Sequence, residues 1–278
     1  MQKNETNTCK NMENLKAVCL SLVPQMNILK ESEWSKLLKR LQARYSVICN
    51  KNNLESYMFV DYIIGCVGGK KECLKFIEAF VNTLNEALKY ADSLGLKNKV
   101  EGIMRQLFIT GDNDVMSGNS DFKNRLNELL AFNWFVSCGN YRLVNIEEPL
   151  SDNGKSIDFL LQSKATGDYL GIELMTIQGV NPEMQDDNQT LTNFLDARIE
   201  LKYADKMKNV PKSDLISNIL IMPIVECQKG LEKFEVHVTN KHSTPILTSC
   251  ISEKEGKVTI ELLNINSYLK MLNDLSVK

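Results

Sequence analysis

Apolar residues in the first part of the chain recur with the period of a helix. Trp34, Leu37, Leu38, Leu41 and Tyr45 follow one another at three- and four-residue steps, and Ser32 stands where an N-cap belongs. Residues 54–67 and 73–94 continue the pattern, separated by Gly68-Gly69, which breaks a helix. On the second of these, Leu74, Ile77, Phe80, Val81, Leu84 and Leu88 form the face expected to be buried. Residues 1–115 therefore read as a helical region with no internal repeat. The polar stretch 111–120, rich in Gly, Asn, Asp and Ser, reads as the boundary after it.

Beyond that stretch the texture changes. Residues 121–138 make one more helix, with Phe122, Leu126, Leu129, Leu130 and Phe135 available for burial and Gly139 at its end. Alternation then predicts strands at 141–146, 156–162 and 169–177, the last two joined by an Ala165-Thr166-Gly167-Asp168 turn. A long helix over 191–209 stops before Pro211, and 218–225 is apolar throughout, as suits a strand covered on both faces. Pro223 cannot donate to a ladder, so that strand is expected to end near it. Further strands are expected at 234–238 and 257–263, and a closing helix at 265–275. The order from residue 121 is helix, three strands, helix, strand, which predicts an α/β domain over 116–278.

Composition narrows the class. With 43% hydrophobic and 24% charged residues the chain has the balance of a globular protein. Its opening residues lack the apolar core of a signal peptide, and its apolar runs are too short to span a bilayer, so a cytoplasmic protein without membrane contact is expected. The eight cysteines are scattered, contain no CxxC pair and are accompanied by only two histidines, His237 and His242; reduced, structural thiols are expected rather than zinc ligands. The net charge is −2 but unevenly divided. Residues 1–115 carry 16 basic against 13 acidic side chains, and the remainder 17 against 22. No Gly-rich phosphate loop and no GxSxG elbow occurs.

The acidic residues in the second part stand out by position. Glu128 lies on the helix, Asp158 opens the second strand in Ser156-Ile157-Asp158-Phe159-Leu160, and Glu173 interrupts the third in Gly171-Ile172-Glu173-Leu174-Met175. A charge inside an apolar strand is costly unless it has a partner or a task. In this order of elements the pattern resembles the PD-(D/E)XK nuclease superfamily, over roughly 100 of the 278 residues. The resemblance implies a restriction-endonuclease-like mixed sheet flanked by helices. It also implies Mg²⁺ (or Mn²⁺) held by Asp158 and Glu173 with Glu128 in support, and hydrolysis or binding of DNA or another nucleic acid. Divalent cations of this kind take one or two carboxylates, polarise the phosphate and lower the pKa of an attacking water.

One element of the signature is missing. The family's lysine, two residues after the second carboxylate and on the same strand face, is Met175 here, a thioether that carries no charge and cannot replace it. Three repairs are open: Lys155 at the entrance of the second strand, Lys202 on the following helix, and Gln178 as a holder of water. Lys202 is preferred. Arg198, Lys202 and Lys206 recur every fourth residue there, forming either a solvated face or a phosphate-facing edge. The helical N-terminal region would then supply target recognition or the contacts of a homo-oligomer. A second reading keeps the fold without the chemistry: a silent scaffold that binds a nucleic acid or protein partner, with Met175 marking the lost activity.

Overall fold

A computed structural model describes residues 13–48, 59–109, 121–150, 155–177, 188–208, 218–225, 245–268 and 270. The expected linker 111–120, Gln178, the expected strand at 234–238 and both histidines lie outside them. The chain divides into two compact units, Met1–Leu129 with Ile251–Ile260, and Leu130–Cys250 with Glu261–Lys278. The division falls within a helix rather than in the polar stretch before it. The architecture is mixed α/β, with helices at the N-terminus and a six-stranded mixed sheet.

In the first unit, α1 (residues 13–22) leads through a 3₁₀ turn, Pro24–Ile28, to α2 (Glu31–Ile48), α3 (Phe59–Val67), α4 (Lys71–Leu94) and α5 (Lys97–Ile109). α2 begins at Glu31, one residue before the expected cap. The Lys30 N–H donates to Glu33 Oε2 at 2.8 Å and closes the helix end from within. The core is aromatic: the Phe59 ring lies 5.6 Å from Phe80, 5.3 Å from Phe108 and 6.0 Å from Phe122. The buried face of α4 runs Cys73, Ile77, Phe80, Leu84, Ala87 and Ala91, which leaves Leu74 44% exposed; Tyr45 of α2 is also outside the core. An apolar stripe fixes a helix face only to within about a hundred degrees, and both residues stand at its margin. Gly65 permits the close approach of α3 to α4, because a Cβ there would fall 2.3 Å from Cys73 Sγ. Asp61, fully buried, is held by the Arg44 guanidinium at 2.8 and 3.2 Å.

α6 (Asp121–Ser137) passes from the first unit into the second. There follow β1 (Tyr141–Pro149), β2 (Ser156–Ser163), β3 (Tyr169–Ile177), α7 (Asn188–Met207), β4 (Asn218–Val225), β5 (Leu247–Lys254) and β6 (Lys257–Asn264), with the strands in that order across the sheet. β1, β2 and β3 are antiparallel; β4 lies parallel to β3, and β5 parallel to β4. A helical connection is what a parallel β3–β4 pair requires, and α7 supplies it. β4 does not end at Pro223 but runs through it, with Pro223 opposite Met175. Among the described residues β5 pairs with β4 only from Ile224 onward, so Pro223 stands just before that ladder begins, where a missing donor is tolerated. β5, which the sequence pattern did not reveal, closes on β6 through Glu255-Gly256, both at positive φ (53° and 74°), the geometry of a two-residue hairpin turn.

α7 covers the sheet through Leu195, which packs fully buried with Leu160, Met175, Ile177 and Ile221, while Phe194 and Ile199 flank the cluster. Among the described residues Cys19, Cys66, Cys73, Cys138 and Cys250 form no disulfide; burial pushes Cys19 and Cys66 up to about 11. Among the described residues no helix is long and apolar enough to cross a membrane.

Candidate functional site

Asp158 and Glu173 converge at one end of the β2–β3 pair. The register runs from Gln162↔Tyr169 to Phe159↔Ile172, and one further step would set Asp158 opposite Glu173. At that point the Asp158 side chain takes over from the ladder: the Leu174 N–H donates to Asp158 Oδ2 at 2.7 Å. A carboxylate in place of a backbone acceptor fixes Asp158 to β3 and leaves Oδ1 directed elsewhere. Burial is the main reason its carboxyl is pushed from 3.8 up to about 6. The Glu173 charge adds to the rise, and the Leu174 N–H, Lys202 and Lys206 oppose it.

α7 delivers two ammonium groups to Glu173. Leu195, Ile199, Lys202 and Lys206 are spaced four, three and four residues apart and so form one helix face, apolar in its first half and basic in its second. The apolar half packs on the sheet and carries the basic half over the carboxylates. Lys202 Nζ lies 3.0 Å from Glu173 Oε1 and also donates to the Leu174 carbonyl oxygen. Lys206 Nζ lies 2.9 Å from Glu173 Oε2 and donates to the Ser156 carbonyl oxygen at 2.6 Å. The Lys206–Glu173 approach has the distance of an ion pair without hydrogen-bond geometry, so Glu173 Oε2 remains a buried acceptor with no hydrogen bond. The Glu173 side chain is 7% exposed, that of Lys206 17% and that of Lys202 32%.

The remaining expected residues are placed as follows. Lys155 bonds Asp205, in the last turn of α7, at 2.7 and 2.9 Å, and this pairing holds the Asp205 carboxyl below its ordinary value. Glu128, on α6 in the first unit, accepts from Arg125 at 2.8 and 2.7 Å. Arg198 turns to the Phe194 ring, 5.4 Å from its centroid, and so leaves the stripe in which the four-residue spacing put it. Met175 is buried in the apolar cluster under α7. Lys206, expected only as part of the basic stripe with Arg198 and Lys202, is the residue whose contact with Glu173 was not anticipated. Its signal was the run of apolar residues at 195 and 199 in phase with 202 and 206.

The donor set suits a hard cation. Asp158, Glu173 and the Leu174 carbonyl offer oxygens only, and Glu173 Oε2 is a buried acceptor lacking a hydrogen bond. Among the described residues no group of three or more His, Cys, Asp or Glu side chains is arranged for a metal. A cation here would rest on two carboxylates and complete its shell with carbonyl and water, as Mg²⁺ does. Compared with protein-family models, with curated proteins and with solved structures, the chain has no match in any of the three.

Proposed function

We propose that the protein is a divalent-metal-dependent hydrolase of nucleic-acid phosphodiesters, with the basic group of its site supplied by α7 rather than by β3. The observation that carries the reading is the approach of Lys202 to Glu173, at 3.0 Å, beside an Asp158 held on the neighbouring strand. Two carboxylates converging at the end of a sheet with a lysine upon them reproduce the three charges that the PD-(D/E)XK resemblance calls for, although position 175 is apolar. Asp158 and Glu173 would hold Mg²⁺ or Mn²⁺. The metal would polarise the phosphate and acidify a bound water. Lys202, the more exposed of the two lysines, would face the scissile phosphate and offset its developing charge. Lys206, bonded to β2 and close to β3, would keep Glu173 and the end of α7 in place. Glu128, engaged by Arg125 on α6, takes no part in this proposal.

The test is incubation of the full chain with plasmid, linear duplex, single-stranded DNA and RNA in Mg²⁺ or Mn²⁺. Cleavage abolished by Asp158→Ala and Glu173→Ala, and by chelation, is the expected result. Cleavage that survives both substitutions refutes this site. A silent nucleic-acid-binding scaffold is the second reading. It is favoured by one observation: each Glu173 oxygen already has an ammonium within 3.0 Å. That reading predicts retention of nucleic acid without metal-dependent cleavage.

A further inference from the structure

Both oxygens of Glu173 already face a positive charge, and the two ammonium groups are not held alike. Lys206 is largely buried and bonded to the Ser156 carbonyl oxygen of β2, so it is fastened to a second strand. Lys202 is about twice as exposed, and its acceptors, Glu173 Oε1 and the Leu174 carbonyl oxygen, both belong to β3. The Lys202 charge also acts on Asp158. Its ammonium therefore stands among the same oxygens that a divalent cation would use.

We infer that Lys202 is an internal competitor of the metal: its ammonium holds the cation position among Asp158, Glu173 and the Leu174 carbonyl, and it must withdraw when a divalent cation enters. The inference rests on the metal-site reading of the two carboxylates and adds regulation to it. A cation on Glu173 Oε1 and the Leu174 carbonyl oxygen, at ordinary oxygen–metal distances of about 2.0–2.6 Å, would take the position that the Lys202 ammonium fills. Like charges at such separations repel strongly in a partly desolvated site. Of the two lysines, Lys202 is the one free to leave, because its exposed side chain can turn outward while Lys206 stays tied to β2. The withdrawal moves a positive charge from the carboxylates towards solvent, where a substrate phosphate would meet it. In this arrangement metal entry and lysine presentation are one step, and the protein without metal carries its own counter-ion.

Calorimetric titration of the full chain with Mn²⁺, without nucleic acid and at one neutral pH, reads the competition directly. Lys202→Met and Lys202→Gln remove the competing charge and are expected to bind Mn²⁺ at least tenfold more tightly than the unaltered protein. Lys202→Arg retains the charge and is expected to give no such gain. Lys208→Met, an exposed change at the end of the same helix, controls for net charge and is expected to shift the affinity less than twofold. Equal or weaker binding by both Lys202→Met and Lys202→Gln, against measurable binding by the unaltered protein, overturns the competition while leaving the metal site standing. No Mn²⁺ binding by any of these proteins overturns both. Tighter binding by Lys202→Met in a protein that cleaves no nucleic acid sustains the competition and refutes the hydrolase alone.

Discussion

Asp158 should make the folded protein less stable at neutral pH than an uncharged residue in its place. Its carboxyl is pushed from 3.8 up to about 6, mainly by burial and further by the Glu173 charge. Below the ordinary value, both the folded and the unfolded chain hold the proton and no penalty exists. As pH rises through the window between the two values, the unfolded chain releases its proton first and stability falls. Above about 6 the penalty is complete. A rise of about two units at 1.36 kcal/mol per unit corresponds to roughly 3 kcal/mol. Asp158→Asn cannot ionise, yet its amide oxygen still accepts the Leu174 N–H that Asp158 Oδ2 now takes at 2.7 Å. The variant should therefore gain roughly 2–3 kcal/mol over the unaltered protein at pH about 7.5, and the gain should shrink towards nothing at pH about 4. Urea denaturation at several pH values, without divalent cations, measures both numbers. A variant no more stable at neutral pH, or a gain that persists unchanged into acid, would show that Asp158 ionises there without penalty and that the site is not strained.

Other changes test other parts of the account. Mn²⁺ affinity of the unaltered protein should weaken as pH falls through about 6, because protonated Asp158 is a poor metal ligand, and a calorimetric affinity flat through that region would remove Asp158 from the metal shell. Lys202→Met should lower kcat at least about a hundredfold while tightening Mn²⁺ binding, an opposition that single-turnover kinetics and calorimetry read separately. Met175→Lys should destabilise by about 3 kcal/mol or more and fail to raise activity, since its ammonium would be buried among Leu160, Ile177 and Leu195; a stable, more active variant would show that the β3 position still opens onto the site. Arg44→Ala should cost about 3–5 kcal/mol in the first unit by leaving the fully buried Asp61 short of its guanidinium, as thermal denaturation would report.

The order of elements from α6 to β4 and the two carboxylates were legible in the sequence for a physical reason. An acidic residue within an apolar run is conspicuous, and Asp158 and Glu173 each interrupt one. Lys202 was chosen for the two carboxylates only through the family resemblance, because charge spacing alone cannot tell a solvated face from one turned towards a sheet. The phase of Leu195 and Ile199 decides the matter, and it separates Lys206 from Arg198, which the four-residue spacing had grouped together. β5 escaped because Thr248, Ser249, Cys250 and Ser252 give weak alternation, so that strand depends on pairing with β4 and on the turn at Glu255-Gly256. The passage of β4 through Pro223 was hidden likewise, since only the sheet reveals that β5 begins to pair one residue later.

The hairpin of β5 and β6 has a bearing on how the chain is made. Its tip belongs to the first unit, where the Ile260 N–H donates to Thr83 Oγ1 at 2.9 Å, Asn82 Nδ2 donates to the Val258 carbonyl oxygen at 2.7 Å and Lys257 meets Glu86 at 2.5 Å. These bonds join residues more than 170 positions apart. During synthesis α4 emerges long before residues 257–260, so the helical region must wait for the bonds that this hairpin supplies. A fragment ending near residue 129 would lack them permanently, and the N-terminal helices are better studied within the whole chain than as an isolated piece.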